Sequence, residues 1–336
     1  MSLISSILPF RSLSIVGMAK NTGKTVCLNY VLEQLQKTGK VLAVTSIGID
    51  GEQKDQVTQT EKPEVTLYEG SFFVTSEHYY RQRRLLSEIY DISEEMTSMG
   101  RLVIAKVLQT GKAIIAGPAS AVRMKALIDR MAALGADMTI VDGALSRRSP
   151  AAPSITDGLI LSTGAAIAPD IPTIVDKTRF VYRMTQLPEY ETPHRESLLL
   201  SESGIYTLHD GEVTRLPIAS PLLFSKNKEI LFQHGATLFI SGILTDSILE
   251  YLRTQPEIKQ TALIVKDFTK IFVTPFVLNS YLQKGGSLYV LQKPNLTAVC
   301  VNPTSPMGAR LDSKALQDAL QQVIHVPVYD VKMLES

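Results

Sequence analysis

Residues Gly17–Thr25 (GMAKNTGKT) constrain this chain more than any other stretch. They follow an apolar run, Leu13–Gly17, that reads as a buried strand. They precede Thr25–Lys37, where Val26, Leu28, Val31, Leu32 and Leu35 recur at helical spacing. Gly39 is placed to end that helix, and Val41–Ile47 starts a second apolar strand. Strand, loop, helix and strand in that order make a parallel crossover unit.

A loop of this kind has one well-understood use. A phosphate needs converging backbone N–H donors, a glycine where a Cβ would collide, and a helix N-terminus aimed at it. Gly17, Lys20, Asn21, Thr22, Gly23 and Val26 would supply the cradle. Lys24 would bridge the terminal phosphates, and the Thr25 hydroxyl would coordinate Mg²⁺. The pattern departs from G-x-x-x-x-G-K-[ST] at one point. Met18 stands in the first glycine position, and Gly17 lies one residue early, five residues before Gly23. A chance GKT at a helix start is the bland alternative; the strand before and the helix after favour nucleotide binding.

The rest of the chain repeats strand–helix alternation. Ala113–Ala116, Met138–Val141 and Gly158–Leu161 read as strands, with helices at Ala121–Leu134 and Ile174–Met184. Such alternation predicts an α/β fold with a mainly parallel, doubly wound sheet. Between about 53 and 111 the pattern changes, with strands at Val65–Tyr68, Phe72–Thr75 and Leu102–Val107 and polar, helical material around Arg81–Met99. This stretch is expected to be an insertion or an antiparallel edge. Near Leu187 the chain turns polar and proline-bearing, which predicts a nucleotide-binding domain over 1–187 and a second α/β domain over 188–336. Within the second, Asp210-Gly211 between two apolar runs is a hairpin signal.

Composition narrows the function classes. A formal net charge of +1 implies no long basic face, so nucleic acid is not expected as a partner. No run approaches the ~18–20 apolar residues a membrane span needs. The apolar N-terminus lacks a basic n-region and leads straight into a strand, so it does not read as a signal peptide. Cys27 and Cys300 have no neighbours at metal-ligand spacing, and two thiols make no disulfide framework. A soluble, cytoplasmic setting is the expectation. The five histidines are scattered, and no G-x-S-x-G elbow is present, so neither metal nor hydrolase chemistry is assigned to them.

GMAKNTGKTV, with five residues before Gly23, resembles the loop of the dethiobiotin synthetase and cobyrinic acid amidase group. That group belongs to the P-loop NTPases that also include the MinD and nitrogenase iron-protein ATPases. Dethiobiotin synthetases carry V-E-G-A-G-G at the end of a later strand, where the acid binds Mg²⁺; Val141-Asp142-Gly143-Ala144 is similar, with Asp for Glu. The resemblance implies ATP and Mg²⁺ as cofactors and Asp142, with Lys24, in the catalytic roles. It also implies an adenine-reading Asn near the end of a strand before Pro, a place matched by Asn302-Pro303. A turn in a separate domain explains Asn302 equally well.

A second resemblance uses Lys20–Thr25 (KNTGKT), VDGALSRRSP from Val141, TDGLILSTGAA from Thr156 and VNPTSP from Val301. These look like a family from amino-acid-fermenting anaerobes associated with the reactivating subunit for adenosylcobalamin-dependent lysine 5,6-aminomutase. That likeness implies an ATPase accessory to a partner enzyme, the mutase and its companion subunit, with ATP driving release of damaged cobalamin. An ATP-dependent ligase or kinase of a small metabolite is the alternative. A nucleotide-binding regulator that barely turns over is the third reading.

Other residues near the expected crevice carry weaker expectations. Asp50, at the end of the second strand, is a further Mg²⁺ candidate, with Asp55 as substitute and an Asp-Gly turn as the plain alternative. Lys20 resembles the extra lysine that MinD-type ATPases use across a dimer interface, though one residue short in spacing, so a homodimer is an expectation. Arg147 and Arg148 could neutralise phosphate charge, but exposed loop arginines usually do not. Gly117-Pro118 and Thr163-Gly164 are either pocket-lining or only turns.

Overall fold

The computed structural model of the chain describes residues 2–47, 64–145, 152–218 and 230–334. It is a mixed α/β protein with one large, mostly parallel sheet. The chain separates into two compact units, Met1–Arg179 with Asn295–Ser336, and Phe180–Pro294.

In the first unit, α1 (Leu3–Ile7) precedes β1 (Ser12–Gly17), α2 (Lys24–Gln36) and β2 (Leu42–Ser46). Next come β3 (Val65–Leu67), β4 (Phe72–Ser76), α3 (Glu77–Tyr80), β5 (Arg84–Thr97) and β6 (Gly100–Ala113). Then follow α4 (Ala121–Ala133), β7 (Met138–Ala144), β8 (Gly158–Gly164) and α5 (Ile171–Thr185), within which the units divide. The second unit holds α6 (Arg195–Leu200), β9 (Gly204–His209), β10 (Glu212–Arg215), β11 (Thr237–Ser241), β12 (Leu244–Thr245) and α7 (Asp246–Leu252). It continues through β13 (Ala262–Val265), β14 (Ile271–Phe272), α8 (Pro275–Gln283) and β15 (Ser287–Val290). The chain then re-enters the first unit as β16 (Leu296–Asn302), α9 (Ser313–Gln321), β17 (Val328–Tyr329) and α10 (Val331–Leu334).

The large sheet runs β17-β16-β8-β1-β7-β2-β4-β6-β3, with β5 also on β6. From β17 to β4 every pairing is parallel. β1 is central and buried at every position, flanked by β7 and β8. A strand covered on both faces must be apolar throughout, which explains the unbroken run read from the sequence. The apolar face of α2 packs Cys27, Leu28, Val31, Leu32 and Leu35 into the main core with Leu13, Ile15, Val44 and Ile140. On the other face, Met124 and Ile128 of α4 pack against Val141.

Two sequence expectations are corrected here. The polar segment Arg81–Met99 is not helical beyond α3, whose range ends at Tyr80. It forms β5, paired antiparallel with β6. Its polar composition hid the strand, because the outermost strand of a sheet buries little and needs no clean alternation. The 53–111 region, so far as it is described, therefore extends the large sheet, β4 joining β2 in parallel and β6, β3 and β5 forming the antiparallel edge beyond it; residues 53–63 lie outside the described residues. The second correction concerns the boundary. A domain over 188–336 does not match the division found, because Asn295–Ser336 rejoins the first unit through β16 against β8. The second unit is an inserted body instead of a C-terminal one.

That inserted unit has its own sheet, β10-β9-β11-β13-β15, around Leu198, Tyr206, Phe239, Ile264 and Leu291. The Asp210-Gly211 hairpin forms as expected, both residues at positive φ (51° and 79°), as a type I′ turn requires. Among the described residues no helix is long and apolar enough to cross a membrane.

Candidate functional site

β1 ends at Gly17, level with Ala144 of β7 and Ser162 of β8. The loop beyond it is held by its carbonyl oxygens. The Ser162 hydroxyl donates to the Thr22 carbonyl at 2.6 Å, and Asn302 Nδ2 donates to the Asn21 carbonyl at 3.1 Å. The Thr22 hydroxyl, buried with its residue, donates to the Ala19 carbonyl at 2.9 Å. The Met18 N–H donates to the Ser162 carbonyl at 2.9 Å. Tying carbonyls down on the sheet side is how a loop can present N–H groups on its other side.

Backbone conformation completes the turn. Asn21 has φ of 62°, a left-handed value that Asn tolerates better than most residues. Gly23, the N-cap of α2, has φ of 87°, and a Cβ there would lie 2.7 Å from the Asn302 Cβ. Glycine is therefore required at Gly23 on two counts, conformation and space.

α2 begins at Lys24, so Lys24 and Thr25 sit at a helix N-terminus with its partial positive charge. The Lys24 ammonium lies 2.9 Å from Asp142 Oδ1, with side chains 25% and 17% exposed. Asp142 is carried on β7 between β1 and β2, opposite Ile15 and Ser46. A half-buried ammonium, a carboxylate and a helix N-terminus can together hold a polyanion and a hard cation at once.

The structure thus brings together Gly17, Lys20–Thr25, Asp142 and Asn302. Lys20 and Asn21 are exposed on the loop, and Thr25 is half-buried. Val26 packs against the main core and offers the site only its backbone. The question left open for Asn302 is decided by β16: Asn302 stands opposite Gly164 in the same sheet as β1, not in a separate domain. Its Oδ1 accepts from the Thr304 N–H at 3.2 Å. Asp50, Asp55, Arg147 and Arg148 lie outside the described residues.

Two weaker candidates prove to be packing. The Thr163 hydroxyl is buried 2.8 Å from that of Thr178. Gly117 is closed in by β2, where a Cβ would stand 2.0 Å from the Ser46 carbonyl oxygen. Sequence reasoning missed Ser162. Its role depends on β8 lying beside β1, and nothing in LILSTG signals that neighbour. Among the described residues no cluster of three or more His, Cys, Asp or Glu side chains could hold a metal ion by itself.

The two cysteines, far apart in sequence, meet behind the loop. Cys27 of α2 and Cys300 of β16 are buried free thiols with Sγ atoms 3.2 Å apart. Their mutual hydrogen bond and burial push the Cys300 thiol well above its ordinary range. A thiol held this way stays protonated and unreactive, and Cys27, fully buried beside it, is shielded from reagent. Neither should take up iodoacetamide at pH 8 in the folded protein, and mass spectrometry should find two adducts only after denaturation. A fast single adduct in the native state contradicts this arrangement.

Comparison with protein-family models, with curated proteins and with solved structures returns no match.

Proposed function

We propose that this chain binds ATP with Mg²⁺ at the Gly17–Thr25 loop and acts as an ATPase accessory to a partner enzyme. One observation carries the nucleotide reading: the Lys24 ammonium and the Asp142 carboxylate, 118 residues apart, meet at 2.9 Å beside the N-terminus of α2. A structural ion pair needs no loop of left-handed residues with its carbonyls tied back. A phosphate cradle needs both.

The residues fit the ligand. Loop N–H groups and Lys24 would hold the β- and γ-phosphates, and Thr25 with Asp142 would hold the magnesium ion. Lys24 would exchange Asp142 for the phosphates of a bound polyanion, freeing the carboxylate to hold the cation. Asn302 acts as a brace on Asn21, and its second amide N–H is available for a base acceptor. The accessory role, with a cobalamin-dependent aminomutase as client, rests on the sequence resemblance. It is tested by whether that enzyme raises the turnover. ADP release driven by a small metabolite alone would favour the ligase or kinase reading.

The direct test is thermal unfolding with ATP, with Mg²⁺ and with both. Stabilisation should be largest with both, and the absence of any ATP-dependent shift overturns the proposal. Asn302→Ala separates the two parts given to that residue. Losing a brace of about 0.5–1.5 kcal/mol should weaken ATP and GTP alike, by up to roughly tenfold. Loss of ATP affinity with GTP affinity unchanged would instead make Asn302 a base reader, as the adenine-site resemblance implies.

A further inference from the structure

β6 carries β4 and β3 along one edge and β5 along the other, which makes β5 the outermost strand on its side of the sheet. Among the described residues no strand pairs with the far edge of β5. An open edge of a 14-residue strand is a ready template for another chain. Edge strands are usually guarded by charge and bulges; β5 carries both, with Arg84, Glu88 and Glu94 exposed and its register on β6 shifting four times, yet it also exposes much apolar surface. Of the fourteen large apolar side chains exposed among the described residues, six lie on this hairpin: Leu86, Ile89, Tyr90, Ile92, Met96 and Leu108. Ile89, Ile92 and Met96 stand opposite Ala105, Val103 and Arg101, positions of β6 that share one face. Val103 and Ala105 belong to the main core. The core's apolar face thus continues onto β5, where Ile89 is 45% and Met96 74% exposed.

The charges say what covers it. Arg84 opens β5, and its acids are Glu88, Asp91, Glu94 and Glu95; Asp91 is already paired with Arg130 at 3.1 Å, whereas Glu94 is exposed. An antiparallel copy of the same strand, related by a two-fold near Ile89, sets Arg84 against Glu94 of the second copy and Leu86 against Ile92. Ile89 then meets its own equivalent. Opposite charges placed symmetrically about an apolar centre are what an isologous pair demands, since residue i meets j and j meets i. The Arg84 side chain is 74% exposed, even with Glu64 at 3.5 Å, so it remains open to a partner carboxylate. We propose that the outer edge of β5 is a homodimer interface, formed by antiparallel pairing of two copies of this strand about Ile89.

Sedimentation of the full chain across 1–100 µM, without nucleotide, tests this independently of the ATP reading. The wild type should be a dimer. Ile89→Asp places two carboxylates at the two-fold and should raise the dimer dissociation constant on the order of 100-fold. Arg84→Glu and Glu94→Arg sit on exposed positions and keep the fold testable should Ile89→Asp destabilise it. Each should weaken association roughly tenfold, because every substitution acts twice in a symmetric interface. The double reversal R84E/E94R should restore the dimer. A monomeric wild type, or a dimer indifferent to these changes, overturns the proposal.

Discussion

On the proposed reading, Lys24→Ala should remove ATP-dependent stabilisation while leaving a folded protein. The ammonium is the one positive side chain that α2 aims at the mouth of the loop from its first turn, and its partner Asp142 already lies at contact distance. Charge-assisted hydrogen bonds to phosphate contribute about 1.5–3 kcal/mol each, so loss of both phosphate contacts should weaken Mg·ATP on the order of 100-fold or more. At a ligand concentration ~100 times the wild-type dissociation constant, binding stabilises the native state by about 2.7 kcal/mol. That is a rise in melting temperature of roughly 5–11 °C for a body of this size. A 100-fold weaker variant retains about 0.4 kcal/mol under the same conditions. Differential scanning fluorimetry resolves the difference. The companion Asp142→Asn should keep a nucleotide shift but lose its dependence on Mg²⁺. An undiminished shift in Lys24→Ala would mean that the nucleotide, if it binds, binds elsewhere.

The conformation of the candidate phosphate loop is legible in the sequence because its pattern is local. Gly17–Thr25 lies between elements that declare themselves by periodicity, and β1 and α2 appear within a residue of where the pattern puts them. Asp142 was found through a likeness to a known motif, and its position at the end of a strand was visible in the apolar run before it. What could not be read was adjacency across the chain. That β8 flanks β1, and that β16 flanks β8, depends on strand order, and strand order is set by crossovers that leave no local mark. Ser162 and Asn302 acquire their roles only through that order. Asn302 stayed undecided for a related reason: an inserted unit, Phe180–Pro294, separates β16 from the sheet it completes. Periodicity recognises a strand but does not say which sheet owns it. β5 failed differently. Its exposed side chains carry no burial pattern, and pairing with β6 overrides the helical look of a polar, acidic stretch.

Gly164 provides the sharpest test of that hidden adjacency. It ends β8 with φ of 154°, and an added Cβ would stand 2.0 Å from the Asn302 carbonyl oxygen and 2.9 Å from its amide nitrogen. Both obstacles are backbone, so no rotamer change relieves them; β16 must move away from β8. Gly164→Ala should cost about 3 kcal/mol, the upper part of the range for overpacking, with backbone strain adding to it. Gly39 is the control, since it also has positive φ (77°) but has no atom within 4 Å of an added Cβ. Gly39→Ala should lose only the conformational part, roughly 1 kcal/mol. Urea unfolding distinguishes the two. The displacement also has a functional consequence, because the Ala165 N–H donates to the Asn302 carbonyl and Asn302 in turn braces Asn21. Gly164→Ala should therefore weaken ATP at least as much as Asn302→Ala does, although it touches no ligand, whereas Gly39→Ala should leave affinity unchanged. If Gly164→Ala proves as mild as the control, β16 does not lie against β8 at that point, and the route by which Asn302 reaches the loop is wrong.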